Sequence, residues 1–291
     1  MKPAPFDYVR PTSLEELFGT LTAGDVMLAG GQSLLPDLNE RRRRPRRLVD
    51  LNAVAELEHC EAGQDRVLAG ALTRHRDLAE RGDVRASVPV LAEAARHVGH
   101  AAVRTRGTLG GSIANADPAA ELPGVCVLLG AVARLRCGEA TGERTVGVAD
   151  LLQPGGLAEH EVITAVEIPA LRSGEGWGFR ELSRPGAYAF PLITVTATVM
   201  LDSGGAVAGL RAAVTGAAET PYELSRHEAA GLLGASPEDA WADAAASRLQ
   251  AAARPVTDHY ASAAYRRRMV RHLARQAVFD AVRRAVPGAA A

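Results

Sequence analysis

Ala29-Gly30-Gly31-Gln32-Ser33-Leu34 and Thr108-Leu109-Gly110-Gly111-Ser112 are the two stretches that decide how this chain is interpreted. Each places a pair of glycines beside hydroxyl or amide side chains, and the first follows an apolar run of strand length at 26–29. Successive main-chain N–H groups in a glycine turn form a concave anion site, and glycine lets a pyrophosphate approach the backbone without meeting a Cβ. The pairing therefore predicts one shared ligand, and a dinucleotide cofactor would satisfy both stretches.

Neither stretch fits the commoner nucleotide-binding motifs. The glycine spacing differs from both G-x-G-x-x-G and G-x-x-x-x-G-K-[ST], which excludes a Rossmann or P-loop interpretation. Two unrelated tight turns remain an alternative at this point, because turns are the ordinary place for glycine. If the ligand is shared, Gly30→Val or Gly110→Val should abolish its retention by placing a side chain where a phosphate must lie.

The segments around the two stretches predict short helices and strands. Ser13 and Glu16 have the spacing of a capping box for a helix ending near Leu21. Asp117-Pro118 supplies an N-cap and a proline for the first helical position, so we expect a helix to begin there. Apolar residues at alternate positions from 193 to 201 predict a half-buried antiparallel strand. The chain is therefore expected to be an α+β protein.

Length and composition favour a two-domain globular protein. The chain has 291 residues, 47% hydrophobic and 23% charged, with a formal net charge of −1, so it is not disordered and offers no global field for nucleic acid. Its three cysteines are too few and too scattered for a disulfide framework, a zinc site or an iron–sulfur cluster. The N-terminus lacks a signal-peptide pattern and no apolar run is long enough for a membrane span, so a cytoplasmic protein is expected.

The basic run at 41–47 and the pair His97 and His100 can each be explained by a structural role or by a functional one. The basic run at 41–47 can be a solvated loop or a docking surface for an acidic partner. His97 and His100 lie three residues apart, but without a third ligand nearby they predict helix-face residues rather than a metal site. Neither group assigns a function by itself.

The two glycine stretches, together with Ala116-Asp117-Pro118-Ala119-Ala120-Glu121-Leu122-Pro123, resemble the paired flavin motifs of a known family. The family is the FAD-binding medium subunit of molybdenum hydroxylases, of the carbon monoxide dehydrogenase and xanthine dehydrogenase type. The resemblance covers nearly the whole chain, from Phe6-Asp7-Tyr8 through Leu48-Val49-Asp50-Leu51 to Tyr265-Arg266-Arg267. It implies a PCMH-type FAD-binding fold of two subdomains, followed by an α+β domain with an antiparallel sheet and helices. The implied ranges are 1–175, with subdomains of about 1–55 and 56–175, and 176–291.

The resemblance also implies which residues bind FAD. The two glycine stretches would wrap its pyrophosphate and ribityl regions, Glu121 would hydrogen-bond the flavin side, and Asp117 would order the turn. Ile163 matches an aliphatic position that packs near the FAD, and Arg180 lies where some relatives have a lysine near the flavin. Gly186-Ala187-Tyr188 lacks the aspartate that relatives carry there, which weakens any expectation of a carboxylate contact from that segment.

The implied activity is electron transfer inside a complex. A large molybdopterin subunit hydroxylates the substrate, and a small iron–sulfur subunit relays electrons to the FAD of the medium subunit, which passes them to an external acceptor. Because this chain has too few cysteines for clusters of its own, it would require both partners. Two alternatives stay open: a stand-alone FAD-dependent oxidase or dehydrogenase acting directly on a small molecule, and a flavin-free binding or scaffold module.

Overall fold

A small parallel sheet near the N-terminus leads into the first glycine stretch. The computed structural model describes residues 2–138, 142–183 and 191–286. The elements of this first part are β1 (Asp7–Val9), α1 (Leu14–Thr20), β2 (Asp25–Leu28), α2 (Leu34–Asn39) and β3 (Arg47–Asp50), with strand order β1-β3-β2 and both pairs parallel. The Ser13 hydroxyl accepts the Glu16 N–H, as predicted. The Glu16 carboxylate, however, reaches back to Thr12, so the reciprocal half of the expected capping box is shifted by one residue.

A five-stranded antiparallel sheet forms the second part of the fold. Its strands are β4 (Cys60–Ala62), β5 (Arg66–Gly70), β6 (Val132–Cys137), β7 (Gly142–Gly147) and β8 (Val162–Pro169), in the order β4-β5-β8-β6-β7. The helices are α3 (His75–Glu80), α4 (Gly82–Ser87), α5 (Pro89–His97), α6 (Ala101–Arg104), α7 (Leu109–Asn115), α8 (Glu121–Leu129) and α9 (Val148–Leu151). Two 3₁₀ turns, Leu51–Ala53 and Ala55–Leu57, connect this sheet to the first.

The helix boundaries around the second glycine stretch differ from expectation. Gly110 and Gly111 lie in the first turn of α7 rather than in an open turn, because Thr108 caps that helix with its hydroxyl. Asp117 does not begin a helix either. Its carboxylate accepts the Ala119 N–H at 2.8 Å in a local turn, and α8 starts only at Glu121.

An antiparallel sheet backed by two long helices forms the last part. Its strands are β9 (Gly176–Leu182), β10 (Ile193–Leu201), β11 (Val207–Thr215) and β12 (Tyr222–Glu223), in the order β12-β11-β10-β9, and its helices are α10 (Arg226–Ala230), α11 (Asp239–Ala252) and α12 (Ala263–Ala285). Helix α12 packs across β9 and β10. Across the described ranges, no helix combines the length and the apolar composition needed to cross a bilayer.

Strand β10 is buried on both faces, although its alternating sequence predicts a half-buried strand. Thr194, Thr196 and Thr198 are as thoroughly buried as Val195 and Ala197, which lie between them. Val195 and Val199 lie on the face of β10 that packs in the core under α12. The threonines lie on the opposite face, on the same side of the sheet as Phe179, which packs in the core of the second part. The last sheet therefore joins the rest of the molecule through its threonine face.

Candidate cofactor-binding site

The two glycine stretches line one cleft with a volume of about 380 Å³. Its walls come from the end of β2, the segment before α3, the start of α7, the turn before α8, and β8. Most of the residues predicted to bind the cofactor line it: Ala29, Gly30, Gly31, Gln32, Ser33, Leu34, Thr108, Gly110, Gly111, Ser112, Asp117, Glu121 and Ile163. Stretches far apart in the chain thus meet at one place.

The structure does not bring Leu109 and Arg180 to the cleft. Leu109 is fully buried in the core beneath α7. Arg180 pairs with Asp280 of α12 at 2.5 Å, on the face of β9 that points away from the second part. The adjacent Glu181 lies on the opposite face, as alternate strand residues do, and its charge acts on Glu121. Gly186-Ala187-Tyr188 lies outside the described residues.

The first glycine stretch packs backbone to backbone against residues 106–107, which directly precede the second stretch. A Cβ added at Gly30 would overlap the carbonyl oxygen of Arg106 and lie 2.8 Å from the Cα of Gly107. A Cβ added at Gly110 would lie 2.6 Å from the Cβ of Ala71. These hypothetical side chains meet protein atoms rather than a phosphate, which corrects the reason expected for the Gly→Val variants. Gly30→Val would push the first stretch away from residues 106–107, and Gly110→Val would push α7 away from Ala71.

The main-chain N–H groups of the two stretches differ in availability. Those of residues 109–112 all donate within the chain, to the carbonyls of Thr73, Ala71 and Thr108 and to the Thr108 hydroxyl. Those of residues 31–33 donate to no other group within the described ranges, and no side chain caps the start of α2. An uncapped helix start of this kind presents N–H groups to an anion. The first stretch is therefore the one with free donors for a diphosphate.

Glu121 brings a titratable carboxyl group to the cleft. Its residue surface is only 4% exposed. Burial raises the pKa of Glu121 to about 7, and the charge of Glu181 adds to this effect, while the backbone N–H of Glu121 itself opposes it. The group can therefore accept or donate a hydrogen bond near neutral pH.

His75 also lines the cleft, although the sequence analysis did not single it out. Neither ring nitrogen has a hydrogen-bond partner among the described residues, although the side chain is buried. Burial lowers the pKa of His75 to about 4, and the Thr108 backbone offsets this only in part. A neutral imidazole offers one donor and one acceptor, which a cofactor could satisfy. Only the buried position, and no sequence motif, identifies this residue.

The basic run at 41–47 is largely held by partners within the chain. Arg47 pairs with Asp25 at 2.5 Å and Arg42 with Asp37 at 2.6 Å. The hydrogen bonds from Arg47 lower the pKa of the buried Asp25 to about 2, against the effect of burial. Arg43 differs from these residues because it lines the cleft.

His97 lies in a helix, as expected, and takes part in ion pairs. It lies 3.4 Å from the Glu93 carboxylate and 3.8 Å from that of Glu181, which raises the pKa of His97. Within the described ranges, no three His, Cys, Asp or Glu side chains are grouped so that they could hold a metal ion.

The residues of the cleft fit an FAD. Free N–H groups at 31–33 suit a diphosphate, the unpartnered ring of His75 and the carboxyl of Glu121 offer polar contacts, and Ile163, Leu157 and Val103 supply an apolar wall. Fold and cleft together define a flavoprotein of α+β architecture with a separate C-terminal sheet.

Comparisons with known proteins agree with this class. The family model "FAD binding domain in molybdopterin dehydrogenase" matches residues 4–171, and "CO dehydrogenase flavoprotein C-terminal domain" matches residues 177–281. The chain belongs to the family of FAD-binding medium subunits of molybdenum hydroxylases. The predicted α+β fold, the FAD cofactor and the role as a dehydrogenase subunit are thereby confirmed.

Individual relatives match over nearly their whole length. The chain is 35% identical over 294 residues to the 6-hydroxypseudooxynicotine dehydrogenase complex subunit alpha of Paenarthrobacter nicotinovorans, covering 99% of this chain and 98% of the relative. It is 34% identical to the carbon monoxide dehydrogenase medium chain of Hydrogenophaga pseudoflava, covering 96% and 97%. The solved structure of carbon monoxide dehydrogenase from the same organism superposes with a TM-score of 0.90 at 33% identity, covering 98% of this chain and 99% of that one. These findings favour an electron-transferring subunit over a stand-alone oxidase or a flavin-free scaffold.

Proposed function

We propose that FAD binds along this cleft with its diphosphate at residues 31–33 and its flavin ring toward Glu121 and Ile163. The observation that carries the proposal is that residues 31–33 line the cleft and that their N–H groups donate to no acceptor in the described part of the chain. Hydrogen bonds to a charged group contribute about 1.5–3 kcal/mol each, so two or three of them suffice to fix the diphosphate. The hydroxyls of Thr108 and Ser112 would add side-chain contacts from the other wall.

The remaining polar residues of the cleft have supporting roles in this proposal. Asp117 orders the turn before α8 through its hydrogen bond to the Ala119 N–H. Glu121 would hold or release a proton beside the flavin, since its pKa of about 7 keeps both forms accessible. FAD, when bound, supplies the redox chemistry and couples single-electron donors to its acceptor.

The partners in this proposal are a small iron–sulfur subunit and a large molybdopterin subunit. Relatives that match over their full length are named as a medium chain or as a subunit of a dehydrogenase complex, which supports partners of this kind. The three cysteines of the sequence are too few to hold clusters within the chain. The proposed division of the chain is 1–175, with subdomains of about 1–55 and 56–175, and 176–291.

Ligand competition tests the proposed orientation of FAD. If residues 31–33 hold the diphosphate, ADP should compete with FAD for the purified chain, and riboflavin should bind at least about a hundredfold more weakly than FAD, since it lacks those contacts. Isothermal titration measures all three. Riboflavin binding as tightly as FAD would place the dominant contacts elsewhere.

Co-purification tests the proposed partners. The chain isolated from its native host should bring with it an iron–sulfur protein and a molybdenum-containing protein in fixed ratio, detected by metal analysis and mass spectrometry. A chain that purifies alone and oxidises a small molecule directly would support a stand-alone enzyme instead.

A further inference from the structure

The second glycine stretch is attached to the segment before α3 by main-chain hydrogen bonds. The N–H groups of Leu109 and Gly110 donate to the carbonyls of Thr73 and Ala71, each at 3.0 Å. In return the N–H of His75 donates to the carbonyl of Gly107 at 3.0 Å. Residues 71–75 and 107–110 therefore form one rigid wall of the cleft.

The first glycine stretch has no such main-chain connection to this wall within the described ranges. Two side chains make the connection instead. The Asn52 amide nitrogen donates to the Ala29 carbonyl at 2.8 Å, and its amide oxygen accepts from one terminal nitrogen of Arg74 at 2.8 Å. The other terminal nitrogen of Arg74 donates to the Arg106 carbonyl at 2.7 Å. That carbonyl is the one that Gly30 packs against, so the bridge ends where the first stretch meets residues 106–107, directly before the second stretch.

The Asn52 side chain is itself held in place. Its main-chain N–H and its amide nitrogen both donate to one carboxylate oxygen of Asp50, at 3.0 and 2.5 Å. The other oxygen of Asp50 accepts from the Tyr8 hydroxyl at 2.5 Å, and Asp50 is 7% exposed. The amide of Asn52 thus has donors and acceptors on fixed sides, which leaves one orientation that satisfies all of them.

We propose that Asn52 and Arg74 are positioning residues that set the spacing between the two glycine stretches and thereby the affinity for FAD. Neither side chain lines the cleft in the described part of the chain, so neither is expected to touch the cofactor. The role rests on the proposed FAD site. The bridge requires the two terminal nitrogens of the Arg74 guanidinium, because a lysine ammonium cannot hydrogen-bond both the Asn52 amide and the Arg106 carbonyl with fixed geometry.

The test compares Arg74→Met and Asn52→Ala with a matched control. Arg81 flanks the other end of α3 and likewise donates to a backbone carbonyl, that of Cys60 at 2.7 Å, but it does not line the cleft or touch either glycine stretch. We expect the FAD dissociation constant of the full chain to rise about tenfold or more in Arg74→Met and in Asn52→Ala, and to change less than about twofold in Arg81→Met. The double variant Arg74→Met/Asn52→Ala should be little weaker than either single variant, because each one already breaks the bridge.

Two further measurements separate positioning from loss of stability. The visible circular dichroism spectrum of FAD-saturated Arg74→Met should differ from that of wild type, whereas the spectrum of Arg81→Met should match it. Arg74→Met and Arg81→Met should have equal urea midpoints of unfolding. Arg74→Lys should not restore the affinity. If Arg74→Met does not fold, Asn52→Ala decides the outcome alone.

Three results would count against these ideas in different ways. Wild-type affinity in Arg74→Met and Asn52→Ala overturns the positioning role and leaves the FAD site intact. An equal loss in Arg81→Met also overturns it, because the effect would then be general destabilisation. A wild-type chain that binds no FAD refutes the proposed site itself.

Discussion

The glycines of the cleft are required by the packing of the chain against itself. Gly31 has a φ of +72°, a conformation that side chains with a Cβ rarely adopt, and Gly30 leaves no room for a Cβ beside the Arg106 carbonyl. The longer motifs around these glycine pairs made the positions recognisable in the sequence. The sequence could not show that the constraint is a neighbouring loop, because that loop lies far away in the chain.

At Gly30, the smallest substitution already tests this explanation. Gly30→Ala should lower the free energy of unfolding by about 1–3 kcal/mol, because its Cβ forces two backbones apart, and should weaken FAD binding in parallel. Urea unfolding and FAD titration measure the two effects. Gly82→Ala is the control, since a Cβ there meets nothing within 4 Å, and it should be neutral or stabilising by up to about 1 kcal/mol. Equal behaviour of the two variants would contradict the packing role.

The carboxyl group of Glu121 makes the stability of the FAD-free chain depend on pH. Its pKa is about 7 in the folded chain and 4.5 as the ordinary value, so the folded state holds the proton more tightly. Its contribution is therefore complete below about pH 4.5 and is lost as the pH rises through about 7, a change on the order of 3 kcal/mol.

Glu121→Gln removes this titration. The variant should be more stable than wild type above about pH 7, and the difference should shrink as the pH falls toward about 4.5. Urea unfolding at several pH values in this interval measures it. Parallel pH profiles for the two proteins would show that Glu121 does not carry the raised pKa.

Strands and helices of this chain follow their local patterns except where a distant element covers them. The start of α1 and the strand β2 lie where the capping residues and the apolar run at 26–29 predict them. The two faces of β10 could not be predicted, because alternation of valine and threonine indicates water on one side, whereas that side is covered by the second part of the fold. His75 and Arg74 carry no motif, so only the folded structure shows what they face.

The position of Arg180 in β9 predicts that it stabilises the packing of β9 against α12 and does not bind the cofactor. Because its guanidinium pairs with Asp280 of α12, Arg180→Met should leave the FAD dissociation constant unchanged. The free energy of unfolding should fall by about 1 kcal/mol or less, since Arg180 is 43% exposed and solvent screens the pair. FAD titration and urea unfolding of the same variant check both statements. A marked loss of FAD affinity would instead indicate that Arg180 contacts the flavin.

For the whole molecule, α8 is an element that contacts both the five-stranded sheet and the C-terminal sheet. All nine of its residues are buried, because it lies between the second and third sheets. It packs tightly at Gly124, where an added Cβ would overlap the Thr215 methyl group. Beside it the Gly216 N–H donates to the Pro118 carbonyl at 2.8 Å.

Gly124→Ala tests this contact, and a second substitution at Thr215 should restore the lost stability. The variant should be destabilised by about 1–3 kcal/mol, because the new methyl group meets that of Thr215 in a packed interface. Adding Thr215→Ser removes the opposing methyl and keeps the hydroxyl, so the double variant should recover most of the loss. Thermal unfolding of the three proteins measures the recovery. If Thr215→Ser fails to restore stability in the Gly124→Ala background, the two side chains do not oppose each other there.

The unequal donors of the two glycine stretches have a consequence for how the holoprotein is made. The second stretch completes its own hydrogen bonding inside the chain, so the larger sheet and its helices can finish folding with no nucleotide in place. In the described part of the chain, the N–H groups at 31–33 and the ring nitrogens of His75 are polar groups of the cleft that have no partner within the protein. We therefore expect the coenzyme to be incorporated after folding, into an apoprotein whose larger sheet is already complete.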